Sequence, residues 1–409
     1  MNDANVSDRA VDDSAFEELD HALTDEGATA AIDRLITRLD RGEEPRALLD
    51  ALLLKARLDL GLPAVYSGML SSLPEPTRTR YEDRYIEALR TVGRKRLEAG
   101  DLIGAWPYFR TIGEKEPVAE AIEQVDPAAT DGQVLGQIME LALQHGVHPV
   151  RGFELVLVSY GPCSAITAFE HLPADEATRR PCADRLVRYL HEQLRATLAA
   201  EIERSGRPKP ADGATIAELV GANPWLYDDD AYHIDTSHLA AVVRMSPLLQ
   251  DPEAIRQAVG LTEYGRRLSD RHRYEGDPPF EQLYEDHGIY LRALLGEGVD
   301  EAIAHFRAKL EPADPDGDDL ASTLPAQILI RLLDRLGRQE EAIPLAAEYL
   351  QGVPEGLLLC PGLMQLCQAS GRPDLLARHA RSGGDLVSYL AARVLASSAE
   401  ADGPASTAR

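Results

Sequence analysis

Lysine is nearly absent: five residues in 409, at 55, 95, 115, 209 and 309. Basic residues are scarce in general, 42 against 68 Asp and Glu, which leaves a formal charge of −26. Such a surface repels phosphate backbones and anionic headgroups, so nucleic acid and membrane are excluded as main partners. Aromatics make up only 5% of the chain, so aliphatic side chains and alanine must fill its core. There are four cysteines (163, 182, 360 and 367) and no C-x-x-C pair, which points to buried thiols rather than a disulfide framework or a zinc site. The longest uncharged runs, near 155–169 and 357–371, contain Gly and Pro and fall short of the ~20 apolar residues that span a bilayer. Residues 1–14 carry Asp3, Asp8, Asp12 and Asp13 and no apolar run, so no secretory signal is expected and the protein reads as cytoplasmic.

Segments of alternating Val, Ile and Thr are also missing, which argues against a sheet. What is present is helical periodicity, as in Leu49, Leu52, Leu53 and Leu60, or Leu329, Leu332, Leu333 and Leu336. Gly, Pro and Asp turns cut the pattern into short helices, and the small polar stretches 1–14 and 397–409 read as mobile tails. The fold expected is all-α, built of helical hairpins.

Some of the hairpins share a rhythm. In IEALRTVGRKRLEAGDLIGAWPYFRTIGEKEPVA (86–119), Gly93 lies mid-helix, Gly100 marks the turn, and Ala105, Phe109 and Pro117 follow. LLDRLGRQEEAIPLAAEYLQGVP places Gly337, Ala342, Ala346, Tyr349 and Pro354 at matching offsets, and LRALLGEGVDEAIAHFRAKLEP supplies Ala302, Phe306 and Leu310. Small residues let two helices approach closely, the phenylalanine fills space against the next hairpin, and proline stops the second helix. These segments resemble the tetratricopeptide repeat (TPR), a helix–turn–helix unit. They depart from it in lacking the large aromatic early in the first helix, in the shifted turn of 283–316, and in Ile330 where a small residue belongs. The resemblance implies an α-solenoid of TPR-like hairpins that binds a peptide or protein segment. First-helix residues line such a groove, which here designates Arg90, Arg94 and Glu98.

Weaker hairpins are expected at 16–40, 44–72, 149–173 and 358–395. The layout is an N-terminal repeat half (15–204), a Pro- and Gly-punctuated non-repeat insert (205–282) and C-terminal TPR-like repeats (283–396).

The insert holds the sharpest chemical feature, Tyr232-His233-Ile234-Asp235-Thr236-Ser237-His238. His233, Asp235 and His238, completed by His287, are a candidate metal or acid–base site. Five residues turn His238 about 140° from His233 on a helix, so the site requires His233 to be extended before the helix begins. Asp235 is also a good N-cap for a helix starting at Thr236, with both imidazoles hydrogen-bonded at its start. Histidines 145, 148 and 171 read as helix-end residues that meet free carbonyls. The run Arg266, Arg267, Arg271, His272 and Arg273 reads as a solvated helix end. The acidic segment 311–319 reads as a loop between repeats, since its glycine is at 317 rather than 319 and no glutamate holds the twelfth position of a calcium site. There is no phosphate loop, dinucleotide fingerprint, nucleophile elbow or H-E-x-x-H, which favours a binding protein over an enzyme, with no cofactor implied. An interaction scaffold, an enzyme centred on the insert histidines and a structural subunit of an assembly remain the functional alternatives. Fourteen carboxylates against five arginines in the first fifty residues favour a basic partner.

Overall fold

A computed structural model describes residues 13–42, 44–65, 73–173, 175–211, 213–312 and 320–401. The described residues are 73% helical with no strand, and helices adjacent in sequence pack against each other. The chain divides into two compact units, 1–159 and 160–409.

The first unit contains α1 (Asp13–Asp25), α2 (Ala28–Arg41), α3 (Pro45–Asp59), α4 (Thr77–Glu98), α5 (Leu102–Ile112), α6 (Glu116–Glu123), α7 (Gly132–Leu143) and the first half of α8 (Pro149–Glu170). The α4–α5 hairpin follows the sequence closely. A methyl group on Gly93 would meet Cε2 of Phe109 at 2.7 Å, so the ring lies directly on α4. Phe109 therefore fills the hollow that glycine leaves within its own hairpin. Ala105 and Phe109 are fully buried, and burial of a side chain the size of Phe109 contributes about 1.5–3 kcal/mol. Asp101 caps α5 through Gly104 N–H at 2.8 Å. Gly113, left-handed at φ 74°, ends α5, a conformation that costs glycine no Cβ clash. Pro117 does not end that helix: it lies in the first turn of α6, where a missing N–H breaks no helical bond. Segment 44–72 yields one helix, α3, with 66–72 outside the described residues.

Helix α8 is broken at Gly161 (φ 79°, ψ −176°), beside the division between the units. Among the described residues it is the helix long and apolar enough to cross a bilayer, with 22 residues, more than the uncharged run alone suggests.

The second unit is organised by α9 (Glu176–Arg204), whose Leu186, Leu190, Leu194 and Leu198 are fully buried at helical spacing. Against it pack α10 (Ile216–Ala222), α11 (Thr236–Met245) and α12 (Pro252–Gly265). Thr215, Asp235 and Asp251 cap these three helices, each accepting backbone N–H groups of the first turn. Beyond them come α13 (Leu283–Leu294), α14 (Val299–Arg307), α15 (Leu324–Arg335), α16 (Gln339–Tyr349), α17 (Leu363–Ala369), α18 (Pro373–Gly383) and α19 (Leu386–Ala401). Phe306 on α14 meets Phe280 and Tyr290 edge-on at 5.5 and 5.8 Å, in a core continued by Leu329, Leu333 and Ala342. Pro354 stands five residues after Tyr349 closes α16, so it does not stop that helix either.

Of the expected tails, 1–12 and 402–409 lie outside the described residues, as does 313–319 of the acidic loop. Residues 397–401 continue α19. Cys163, two residues after the break at Gly161, is exposed, contrary to the expectation of four buried thiols. Cys360 precedes α17, so it shares no helix with Cys367.

Candidate functional site

The residues designated by sequence lie in separate local settings. Asp235 is the N-cap of α11, accepting Ser237 N–H at 2.9 Å, His238 N–H at 3.1 Å and the Ser237 hydroxyl at 2.5 Å. Those bonds hold its carboxyl below the usual range, the Ser237 side chain contributing most. His233 lies in a bend before the helix, and its backbone N–H donates to the Tyr264 hydroxyl at 2.7 Å. Its ring Nδ1 lies 3.2 Å from the same oxygen, and burial lowers its pKa. His238 is the third residue of α11. His287 lies on α13, where its Nδ1–H donates to the Leu283 carbonyl at 2.7 Å and its ring stacks on Phe280 at 4.0 Å. Among the described residues no three His, Cys, Asp or Glu side chains are gathered as metal ligands. The geometry of 233–238 is the N-cap arrangement, down to the helix starting at Thr236.

Arg90 is bound within its own hairpin, donating to Glu114 through Nε at 3.1 Å and Nη2 at 2.6 Å, and pairing with Glu87. Arg94 and Glu98 are exposed one and two turns further along α4. His171 donates to the Thr167 carbonyl at 2.8 Å just past the end of α8. His148 instead caps the start of α8, its Nδ1 accepting Arg151 N–H at 3.2 Å. Three of the arginines after α12 are tied down, Arg266 by Glu285 at 2.7 Å, Arg267 by the Val220 carbonyl at 3.0 Å and Arg273 by the Leu268 carbonyl at 2.7 Å, while Arg271 stays solvated.

A concave site emerges where sequence reading placed none. In the second unit, the start of α9, the end of α11, residues 276–283, α15 and residues 358–359 enclose a groove of about 620 Å³. Its walls are apolar at Phe169, Met245, Phe280, Leu283, Ile328 and Leu359. Leu359 is 49% exposed, an aliphatic side chain left at the rim. A polar extension of about 370 Å³ contains Arg180, Arg331, Asp334, Arg335 and Cys360 and shares Glu176, Leu248, Leu358 and Leu359 with the main groove.

Two side chains one turn apart on α15 build this wall. Gln327, fully buried, accepts Leu359 N–H through Oε1 at 2.7 Å and donates to the Thr323 hydroxyl at 2.9 Å. Arg331 donates to the Leu359 carbonyl at 3.0 Å and pairs with Glu176 at 2.6 Å. Both backbone polar groups of Leu359 are thus met by α15, which fixes the loop and turns its side chain toward the groove rim. The floor is fixed by Asp286, 1% exposed, which meets His305 Nε2 and Lys309 Nζ at 2.7 Å each and accepts Gln282 N–H at 2.8 Å. Lys309 also donates to the Pro279 carbonyl at 2.6 Å, so one buried carboxylate ties residues 279–282 to the end of α14.

No family model, curated protein or solved structure matches the chain.

Burial presses the His287 pKa down to about 4, against its bond to Leu283 and the attraction of Asp286, so the groove wall there is neutral at physiological pH. Burial pushes the Cys360 thiol up to about 12, which makes it a poor nucleophile. Arg179 rests on the Phe169 ring at 4.6 Å. The arrangement suits binding: an apolar trough with fixed hydrogen-bonding walls, and cationic groups at one end.

Proposed function

We propose that this protein is a helical-repeat scaffold that binds a segment of a partner protein, and that the groove of the second unit is where the segment lies. The hairpin rhythm of 86–119, 283–316 and 323–356 supports the solenoid reading, together with the packing of neighbouring helices. The observation that carries the functional reading is the groove itself, about 620 Å³ of largely apolar space with an exposed leucine at its rim. Pockets of that size take several side chains, and an apolar trough between helices is a standard seat for a peptide. The surface charge of −26 favours approach by a basic partner.

Selection of displayed random dodecapeptides on the intact chain tests this reading. Leu359→Asp places a charge at the rim and should weaken selected peptides at least about tenfold, the cost of losing one buried aliphatic contact. Equal binding to Leu359→Asp would refute the assignment of the groove.

A further inference from the structure

The polar end of the groove concentrates positive charge in a chain that has little of it. Arg180 and Arg331 both hold the carboxylate of Glu176, at 2.5 and 2.6 Å. Arg335 adds a third guanidinium, which donates to the backbone carbonyls of Pro247 (2.8 Å) and Leu249. Carbonyls satisfy its protons but bring no formal charge to offset its own. Asp334 is the other acid lining this end, and its carboxylate accepts from the Gln339 amide at 3.3 Å. Three guanidiniums therefore line this end with two carboxylates, of which Glu176 alone is paired with them, through Arg180 and Arg331, and Nε of Arg180 is buried without a hydrogen-bond partner.

The two carboxylate-binding arginines and Glu176 differ in exposure. The Arg331 side chain is 13% exposed, whereas Glu176 is 42% exposed, in the first turn of α9. Glu176 can move into water at small cost. Arg331 cannot follow it, and a buried guanidinium is expensive to leave without a carboxylate. Leu248, Leu358 and Leu359 border both the arginines and the apolar trough.

We propose that the segment recognised here carries an aspartate or glutamate within two residues of an apolar side chain. The acid is taken by Arg180 and Arg331, backed by Arg335, in the place now held by Glu176, while the apolar side chain enters the trough beside Leu359. The proposal rests on the groove being a peptide site. The negative field of the whole chain does not prevent it, because charges beyond about 8 Å are screened at physiological salt. The field acts on the partner as a whole; the arginines act on one residue of it.

The test uses displayed random dodecapeptides on the intact chain, then fluorescence anisotropy of selected peptides synthesised in pairs that differ only by Glu→Gln. Selected sequences should carry Asp or Glu within two residues of Leu, Ile, Val or Phe, and Glu→Gln should weaken binding about tenfold. In the chain, Arg331→Gln should remove the difference between the paired peptides. Glu176→Gln deletes the internal competitor and should tighten the acidic peptide about fivefold, so the test survives even if Arg331→Gln fails to fold. Selected peptides that are apolar without acids, and indifferent to Glu176→Gln, would overturn the inference while leaving peptide binding in the groove intact. If no peptide is selected, both readings fall.

Discussion

His287 makes the stability of the second unit depend on pH, with a predictable sign and size. Its ring is 2% exposed, stacked on Phe280, and held neutral with a pKa of about 4 where an ordinary histidine titrates near 6.5. Below 6.5 the unfolded chain takes up a proton that the folded chain refuses. The unfolded state then binds more protons, so stability falls as the pH falls. The contribution is complete above about 6.5 and is lost progressively down to about 4. A difference of about 2.5 pKa units is worth about 3 kcal/mol in all, of which about 2 kcal/mol is lost by pH 5. Asp286 works against the shift, while Arg244 and Lys309 work with it, and burial dominates all three. The clean perturbation is His287→Phe, which keeps an aromatic ring against Phe280 and removes the titration. The chain has two tryptophans, Trp106 in the first unit and Trp225 in the second. In a Trp106→Phe background, fluorescence-monitored urea unfolding reports on the second unit alone. Stability should be measured at pH 7.5, 6 and 5 with and without His287→Phe. Other titrating groups, including His191 and His233, cancel in the difference between the two proteins. The difference should shift by about 2 kcal/mol toward the variant between pH 7.5 and 5. A difference that does not move with pH would refute the reasoning.

The other expectations are simpler. Gly93→Ala would drive a methyl group to 2.7 Å from Phe109, and should cost about 1–3 kcal/mol by overpacking in urea unfolding of the first unit. Phe109→Leu should recover part of that cost in the double variant, and additive losses would show that the two residues do not share the contact. In the native chain a maleimide should label Cys163 first, since it is exposed while burial raises Cys360 to about 12 and Cys367 to about 11; equal labelling of all three, followed by mass spectrometry, would contradict the packing.

The all-helical fold, the α4–α5 hairpin around Gly93, Ala105 and Phe109, and the cap at Asp235 were legible in the sequence. Each depends on residues within about one helical hairpin of each other, where periodicity, a small residue or a capping oxygen acts through local geometry. Proline was the local signal that misled. The ring of Pro117 is compatible with the end of one helix or the first turn of the next, and only the placement of Gly113 as a left-handed cap decides between them. The groove was not legible at all. It joins Phe169, Met245, Leu283, Ile328 and Leu359, which no periodicity relates, and it exists because α9, α11, α13 and α15 happen to border one space. Asp286 and His287 are neighbours in the chain, but the fold gives them opposite tasks. Asp286 turns to His305 and Lys309 across the hairpin, while His287 turns to Phe280 and goes uncharged. Sequence by itself determined the all-helical class and the pairing of α4 with α5, because those energies are local. Which charges face each other, and which of them lose their water, depends on helices far apart in the chain, and only the tertiary structure decided that.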